Sequence, residues 1–315
     1  MTPPKLIIVV PCYNEEEVLP LTNQRMTEIL NNMVNGSLID VNSNVLYVDD
    51  GSRDKTWTII ENYHADNNHV KGVKLAGNSG HQNALMAGLY TAVEMGADIT
   101  VTIDADLQDD VSVIPQMVES YLQGNDIVYG VRKERKTDSW FKRNTALAFY
   151  KMMKMLGVRS VYNHADFRLM SRRAVEQLMD YRERNLFLRG IVPLIGYKTE
   201  QVFYDRSERK AGESKYPLSK MVNFAIDGIT SFSVKPVRLI FTLGLVFLFI
   251  ALLISMWVIW SLIAHQTVAG WASLMLSIWF VGGCILIGLG IVGEYIGKIY
   301  IEVKDRPRYN IEKTL

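Results

Sequence analysis

The chain has 315 residues, enough for one large domain or two smaller ones, and 34 basic against 33 acidic residues leave a net charge of +1. That balance supplies no electrostatic footprint for nucleic acid. Two cysteines, Cys12 and Cys284, and five histidines without ligand spacing exclude a disulfide framework and a zinc site.

Lys5–Val10 predicts a first buried strand. It ends at Pro11-Cys12-Tyr13-Asn14-Glu15-Glu16-Glu17, where acidic residues suit the first turn of a helix. Asn44–Val48 predicts a second strand, which runs into Asp49-Asp50-Gly51-Ser52-Arg53-Asp54 and then a helix to about Tyr63. A third strand spans Val70–Leu75, and Asn78-Ser79-Gly80-His81-Gln82-Asn83 leads into a helix over Ala84–Met95. The fourth, Ile99–Ile103, is β-branched and stops abruptly at Asp104-Ala105-Asp106-Leu107-Gln108-Asp109-Asp110. Continuous apolar runs of this kind belong to a parallel sheet buried on both faces. Strands alternating with helices make βαβ units, and right-handed crossovers bring all four carboxyl ends to one rim. Open α/β sheets bind their ligands at that rim.

Tyr13, Asn14, Asp49, Asp50, Asp104 and Asp106 therefore converge from distant positions. Alone, Asp104-x-Asp106 is more often a solvated acidic turn. An EF-hand is excluded, because Asp109 stands at the sixth position and Pro115 at the twelfth. Three acidic loops on one rim repel one another unless a cation or a donor-rich ligand lies between them. Mg2+ and Mn2+ accept one or two carboxylates together with phosphate oxygens, so the reading is a metal–nucleotide site.

Val128–Arg132 predicts a fifth strand, followed by the basic residues Lys133, Arg135, Lys136, Lys142 and Arg143 and an amphipathic helix over Asn144–Leu156. Such a stretch is either a solvated basic face or a surface for anionic headgroups and a lipid phosphate. After a strand at Glu200–Tyr204, basic residues surround a Gly212-Glu213-Ser214-Lys215 turn, where backbone N–H groups and cations can reach one oxyanion. Pro217–Phe232 reads as an interfacial amphipathic helix.

Leu239–Gly293 contains no Asp, Glu, Lys or Arg. Leu239–Ala264 and Val268–Gly293 each exceed the roughly 20 residues that cross a bilayer, with His265-Gln266-Thr267 between them. Lys235, Arg238, Lys298, Lys304, Arg306 and Arg308 flank the pair, which places both ends in the cytoplasm. Gly288-x-Gly290-x-x-Gly293 matches a dinucleotide pattern but follows no strand, so it reads as close helix packing. The expected organisation is a cytoplasmic catalytic domain over 1–216, an interfacial region over 217–236, two transmembrane helices over 237–296 and a cytoplasmic basic tail over 297–315.

Pro11-Cys-Tyr-Asn-Glu, Asp49-Asp-Gly-Ser-Arg-Asp54, Gly77-Asn-Ser-Gly-His-Gln and Asp104-Ala-Asp-Leu-Gln together resemble the successive motifs of family 2 glycosyltransferases of the GT-A fold. Within that family the chain resembles bacterial polyprenyl-phosphate glycosyltransferases, close to dolichol-phosphate mannose synthase. The resemblance implies an α/β GT-A domain, Rossmann-like with a mostly parallel sheet, plus a two-helix transmembrane hairpin in the inner (plasma) membrane. It implies that Pro11, Tyr13, Asn14 and Glu15 hold the base and ribose, and that Asp49 and Asp50 are the acids that contact uridine or guanosine. Asn78 and Asp104 join that nucleotide set. Asp104, Asp106 and Gln108 match the metal and diphosphate site, where Asp109-Asp110 replaces a more usual His-Pro. Arg132 matches an arginine near the phosphates. Asp166 lies in an acceptor-side motif, Ala165-Asp166-Phe-Arg168-Leu, in which Ala replaces the usual Gly. Arg209 and Lys215 lie in a loop like the family's lid. The implied catalytic set is Asp106, Asp166, Arg132, Arg209 and Lys215, and the implied acceptor-phosphate set is Arg132, Arg168, Arg206, Ser214 and Lys215.

The implied reaction moves one hexose, glucose or N-acetylglucosamine, from a UDP-sugar to undecaprenyl phosphate with inversion, aided by Mg2+ or Mn2+. The product would be a lipid-linked donor for cell-envelope glycans, made by a homo-oligomer among membrane lipids. A phosphate nucleophile is largely ionised at pH 7 and needs no strong general base. A processive polysaccharide synthase is the first rival, but its Gln-x-x-Arg-Trp motif and extra spans are absent. A non-catalytic membrane protein that binds nucleotide sugars is the second.

Overall fold

A computed structural model describes residues 2–133, 164–184, 186–205, 235–263 and 270–315. The chain falls into two compact units, one made of Met1–Tyr150, Arg159–Pro217 and Arg306–Leu315, the other of Lys151–Val158 and Leu218–Asp305.

The first unit is built on an eight-stranded mixed sheet. Its strands are β1 Leu6–Cys12, β2 Asn44–Asp49, β3 Val70–Leu75, β4 Ile99–Thr102, β5 Ile127–Arg132, β6 His164–Ser171, β7 Thr199–Tyr204 and β8 Ile311–Thr314. The spatial order is β7-β5-β6-β4-β1-β2-β3-β8. β6 and β8 run against the others, so the expected α/β, mostly parallel sheet is present. Every residue of β1 and β2 is buried, the signature of central strands covered on both faces.

Three helices set the rim beside these strands: α1 Leu19–Asn35, α2 Thr56–Asp66 and α3 His81–Glu94. α1 buries Leu19, Met26, Leu30 and Met33, one stripe at helical spacing. α3 lies directly on β1 because Gly88 has no side chain. A Cβ there would stand 2.3 Å from Val9 Cγ1 and 2.8 Å from Val48 Cγ2. Among the described residues the unit's other α-helices are α4 Ile114–Leu122, α5 Arg172–Met179 and the single turn α6 Leu188–Ile191.

Two strands depart from the sequence reading. β6, where the sequence suggested only an acceptor-side motif, inserts between β4 and β5 and pairs antiparallel with both. β8 lies in the segment expected to be a basic tail and pairs antiparallel with β3. Ala76 N–H donates to Asn310 O at 2.9 Å and Leu315 N–H to Gly72 O at 2.8 Å. Lys74–Glu312 and Lys313–Glu61 ion pairs, at 2.9 and 2.7 Å, lie along the same edge.

The second unit holds α7 Lys235–Ile263 and α8 Trp271–Lys304. They meet where Phe247 and Phe280 pack edge to face, ring centroids 5.9 Å apart, and where a Cβ on Gly288 would lie 3.2 Å from Ile240 Cγ2. Close approach at a glycine is how apolar helices gain contact without a hydrophobic driving force. Among the described residues one segment, Phe280–Lys304, is long and apolar enough to cross a membrane, and Val237–Phe247 is a shorter apolar stretch. Only one of the two expected spans therefore meets that measure. The expected helices over Asn144–Leu156 and Pro217–Phe232, and the His265-Gln266-Thr267 break, lie outside the described residues.

Candidate active site

The β1–β2 register pairs Cys12 with Asp49, so the loops that leave these strands start side by side. They are laced together. Asn14 N–H donates to Ser52 Oγ at 3.0 Å, Arg53 N–H to Asn14 Oδ1 at 2.8 Å, and Glu15 N–H to Thr56 Oγ1 at 2.9 Å. Glu16 closes the lacing by accepting from Lys55 N–H at 3.0 Å. Asn14 holds φ of +53°, a left-handed conformation that Asn tolerates better than most residues. Pro11 is buried at the end of β1, whereas the Tyr13 ring is 40% exposed on the rim.

Asp49 and Asp50 are both buried but differ in kind. Asp49 Oδ1 accepts from Ser52 N–H at 3.2 Å, while its buried Oδ2 has no hydrogen-bond partner among the described residues. Burial raises the Asp49 pKa despite the Ser52 bonds. An unmatched buried acceptor is unfavourable, and an incoming N–H or O–H donor would satisfy it. Asp50 accepts from Ser79 N–H at 2.7 Å and Gly80 N–H at 3.0 Å, one amide on each oxygen. Its oxygens thus hold the loop before α3. Gly51 makes that junction possible, because at φ +68° a Cβ would lie 2.6 Å from backbone atoms of Gly77 and Asn78. Asn78 itself is exposed on this loop.

At the carboxyl end of β4, the acidic run separates into three environments. Asp104 Oδ1 is buried without a hydrogen bond and lies 3.5 Å from His81 Nε2, at the start of α3. His81 Nε2 also lies 3.6 Å from Asp166 Oδ2 on β6. His81 thus stands between the carboxylate at the end of β4 and that of β6. Asp166 is gripped from behind by Arg168 at 2.7 Å and from the side by Arg189 of α6 at 3.0 Å. Burial alone would raise the Asp166 pKa, but Arg189, His81 and Arg168 hold it well below the carboxylate range. Burial alone would lower the His81 pKa, yet its bond to Asp166 and the charge of Asp104 carry it to about 9. Asp104 is raised by burial to about 6, against the pull of His81.

Asp106 Oδ1 accepts from Gln108 N–H at 3.1 Å across a turn in which Leu107 takes φ of +53°. Asp109 turns away from both. It is buried, pairs with Arg132 Nη2 at 2.8 Å and accepts from Tyr204 O–H at 2.5 Å. Asp110 caps the next turn by accepting from Ser112 N–H at 2.9 Å. Asp109 neutralises Arg132, which donates to it from Nε and Nη2. Arg168, expected at the acceptor phosphate, is buried beneath Asp166 and reaches Leu188 O. Arg206, Arg209, Ser214 and Lys215 lie outside the described residues.

Sequence reasoning missed His81, Arg189, Gln82 and Tyr204 as site residues. Gln82 Oε1 accepts from Leu188 N–H at 2.8 Å and so fixes the start of α6, which carries Arg189. His81 and Gln82 were visible in the Gly77–Gln82 motif, but nothing local tied them to β6 or α6.

Among the described residues no three His, Cys, Asp or Glu side chains gather as a closed metal site. The donor set nevertheless fits a hard cation. Mg2+ and Mn2+ take one or two carboxylates and draw their other oxygens from phosphate and water. The buried, hydrogen-bond-free Oδ1 of Asp104, two residues from Asp106, would be the protein side of such a site.

The sequence profile of Glycosyl transferase family 2 matches residues 7–179, which take in β1 from its second residue, β2–β6 and all the carboxylates above. The chain belongs to glycosyltransferase family 2. This glycosyltransferase is 53% identical over 312 residues to an uncharacterized glycosyltransferase, YkoT, of Bacillus subtilis (strain 168), covering 99% of this chain and 92% of that one. It is 41% identical, over 98% of both chains, to the SfII prophage-derived bactoprenol glucosyl transferase of Shigella flexneri. Among solved structures, glucosyl-3-phosphoglycerate synthase from Mycobacterium tuberculosis aligns over 73% of this chain and 79% of its own, at 18% identity and a TM-score of 0.48.

Proposed function

We propose that this glycosyltransferase moves a single hexose, glucose or N-acetylglucosamine, from a UDP-sugar to undecaprenyl phosphate at the cytoplasmic face of the plasma membrane, for use in cell-envelope glycans. The observation that carries the reading is the meeting of Asp104 and Asp166 across His81. It occurs in a chain 41% identical along its whole length, apolar helices included, to a bactoprenol glucosyl transferase. In this reading α7 and α8 form a two-span hairpin whose ends both face the cytoplasm.

The donor's nucleoside lies against Pro11, Tyr13, Asn14 and Glu15, with Asp49 Oδ2 accepting a base or ribose donor. Asp104, Asp106 and Gln108 would hold Mg2+ or Mn2+, which when bound neutralises charge on the departing diphosphate. The nucleophile is an oxygen of the acceptor phosphate. Because that phosphate already carries charge near pH 7, no carboxylate has to remove a proton. Asp166 instead orients. Its clamp of Arg168 and Arg189 keeps it ionised, and with His81 it sets the distance between the two substrates. Two anionic substrates repel, so cationic groups must face them. Arg132 and Arg189 are the described candidates, with Arg206, Arg209 and Lys215 of the lid-like loop.

The test uses full-length protein in nanodiscs with undecaprenyl phosphate and a panel of UDP- and GDP-sugars, with lipid products read by mass. One hexosyl-phospholipid from one UDP-sugar is expected, and its loss in Asp106→Ala. A polymer product would favour a processive synthase. Nucleotide binding without turnover on any acceptor would favour a binding protein.

A further inference from the structure

β8 is antiparallel to β3, so its first residues lie at the carboxyl end of β3, on the same rim as the loops of the candidate site. There the segment Pro307–Asn310 faces the loop Ala76–Ser79 across a cavity of about 440 Å3. That volume lies within the range of small-molecule sites. Its floor is anchored on both sides. Ala76 N–H donates to Asn310 O, and Arg308 Nη2 donates to Tyr181 O at 2.6 Å. Its inner wall is the loop whose Ser79 amide bonds Asp50, and Gly51 touches the same loop at Gly77. The cavity is therefore adjacent to the Asp49–Asp50 turn.

The lining decides what the cavity takes. It contains no carboxylate, which disfavours a metal ion. It offers amide and hydroxyl groups from Asn78, Ser79 and Asn310, the half-buried ring of Tyr309 and the guanidinium of Arg308, which also donates to Tyr181 O. Hydrogen-bonding groups and one cation beside an aromatic ring suit a flat polar heterocycle and its sugar.

We propose that the segment Pro307–Asn310, which returns from α8, is the outer wall of the donor's nucleoside site, and that Asn310 contacts the nucleoside. The inference rests on the nucleotide-sugar reading above and extends it to residues beyond the family 2 match, which ends at residue 179.

The experiment titrates UDP and, separately, GDP into full-length protein in nanodiscs, and measures KM for donor and acceptor. Asn310→Ala keeps the backbone carbonyl that holds Ala76 and removes one polar contact. The UDP Kd and donor KM are expected to rise roughly five-fold, with kcat and acceptor KM unchanged. Asn310→Trp fills the cavity and is expected to raise the UDP Kd about ten-fold or more. Lys313→Ala, on the same strand but paired with Glu61, is expected to bind UDP like the wild type. Unchanged UDP affinity in both Asn310 variants, with Asp49→Asn still weakened, would overturn the outer wall and leave the donor reading standing. A wild type that binds neither UDP nor GDP would overturn both.

Discussion

Asp109 offers the sharpest test of how the acidic run is divided. Its side chain is 1% exposed and that of its partner Arg132 is 23% exposed. Tyr204 O–H donates to the same oxygen. Asp109→Ala leaves a largely desolvated guanidinium and a buried hydroxyl without their acceptor. Removing one partner of a buried pair costs about 3–5 kcal/mol, and water reaching Arg132 reduces that to about 2–3 kcal/mol. For a domain of this size the melting temperature would fall by about 4–12 °C. Tyr204→Phe removes only one donor and would cost about 1 kcal/mol. The two changes should be non-additive, since they share an oxygen. Thermal melts of full-length protein in detergent, with Mn2+ binding measured alongside, check this. An Asp109→Ala protein that melts with the wild type but loses Mn2+ affinity would refute the reasoning and add Asp109 to the metal site.

Gly51→Ala should be severe: left-handed strain of about 1–2 kcal/mol adds to a clash with the Gly77–Asn78 backbone, and both melting temperature and UDP affinity should drop. Asp166→Asn should lower kcat by more than ten-fold while UDP affinity stays near wild type, since the proposed reading puts Asp166 at the acceptor; a change in UDP affinity alone would contradict that. The folded pKa of His81, about 9, exceeds its ordinary value, so its stabilising contribution is complete below roughly pH 6.5 and lost as pH rises through about 9. The raised Asp104 pKa, about 6, costs stability between roughly pH 4 and 6 and adds nothing further above pH 7. Metal-free wild type should therefore lose melting temperature from pH 7 to 10, and His81→Gln should lose less. Chelation with EDTA should abolish transfer, with recovery on Mg2+ or Mn2+.

The core of the fold was legible because β1, β2 and β4 carry apolar and β-branched runs between turn residues, and β3 places Val70, Val73 and Leu75 around two lysines. Val70–Leu75 was read to the residue, and β1, β2 and β4 to within one or two. β6 escaped because His164–Ser171 carries Asp166 and Arg168 on a buried strand. Only the cancelling of those charges against each other and Arg189 permits that, and pairing across sequence is invisible in a linear pattern. β8 escaped for the opposite reason. Ile311-Glu312-Lys313-Thr314 is exposed throughout, and its charges suit an edge strand as well as a tail. The acidic rim was foreseeable from residue types, yet the roles within it were not. Asp50, Asp106 and Asp109 look alike in sequence, and only their neighbours separate an amide holder, a turn former and a counter-ion.

β8 also bears on how the enzyme is made. The outer edge of β3 has no covering partner until the ribosome has released everything up to residue 311, after the apolar helices have left the exit tunnel. An uncovered sheet edge invites pairing with another chain. A truncated gene product ending before the apolar helices would expose that edge permanently, and aggregation of such fragments is the expected outcome during expression.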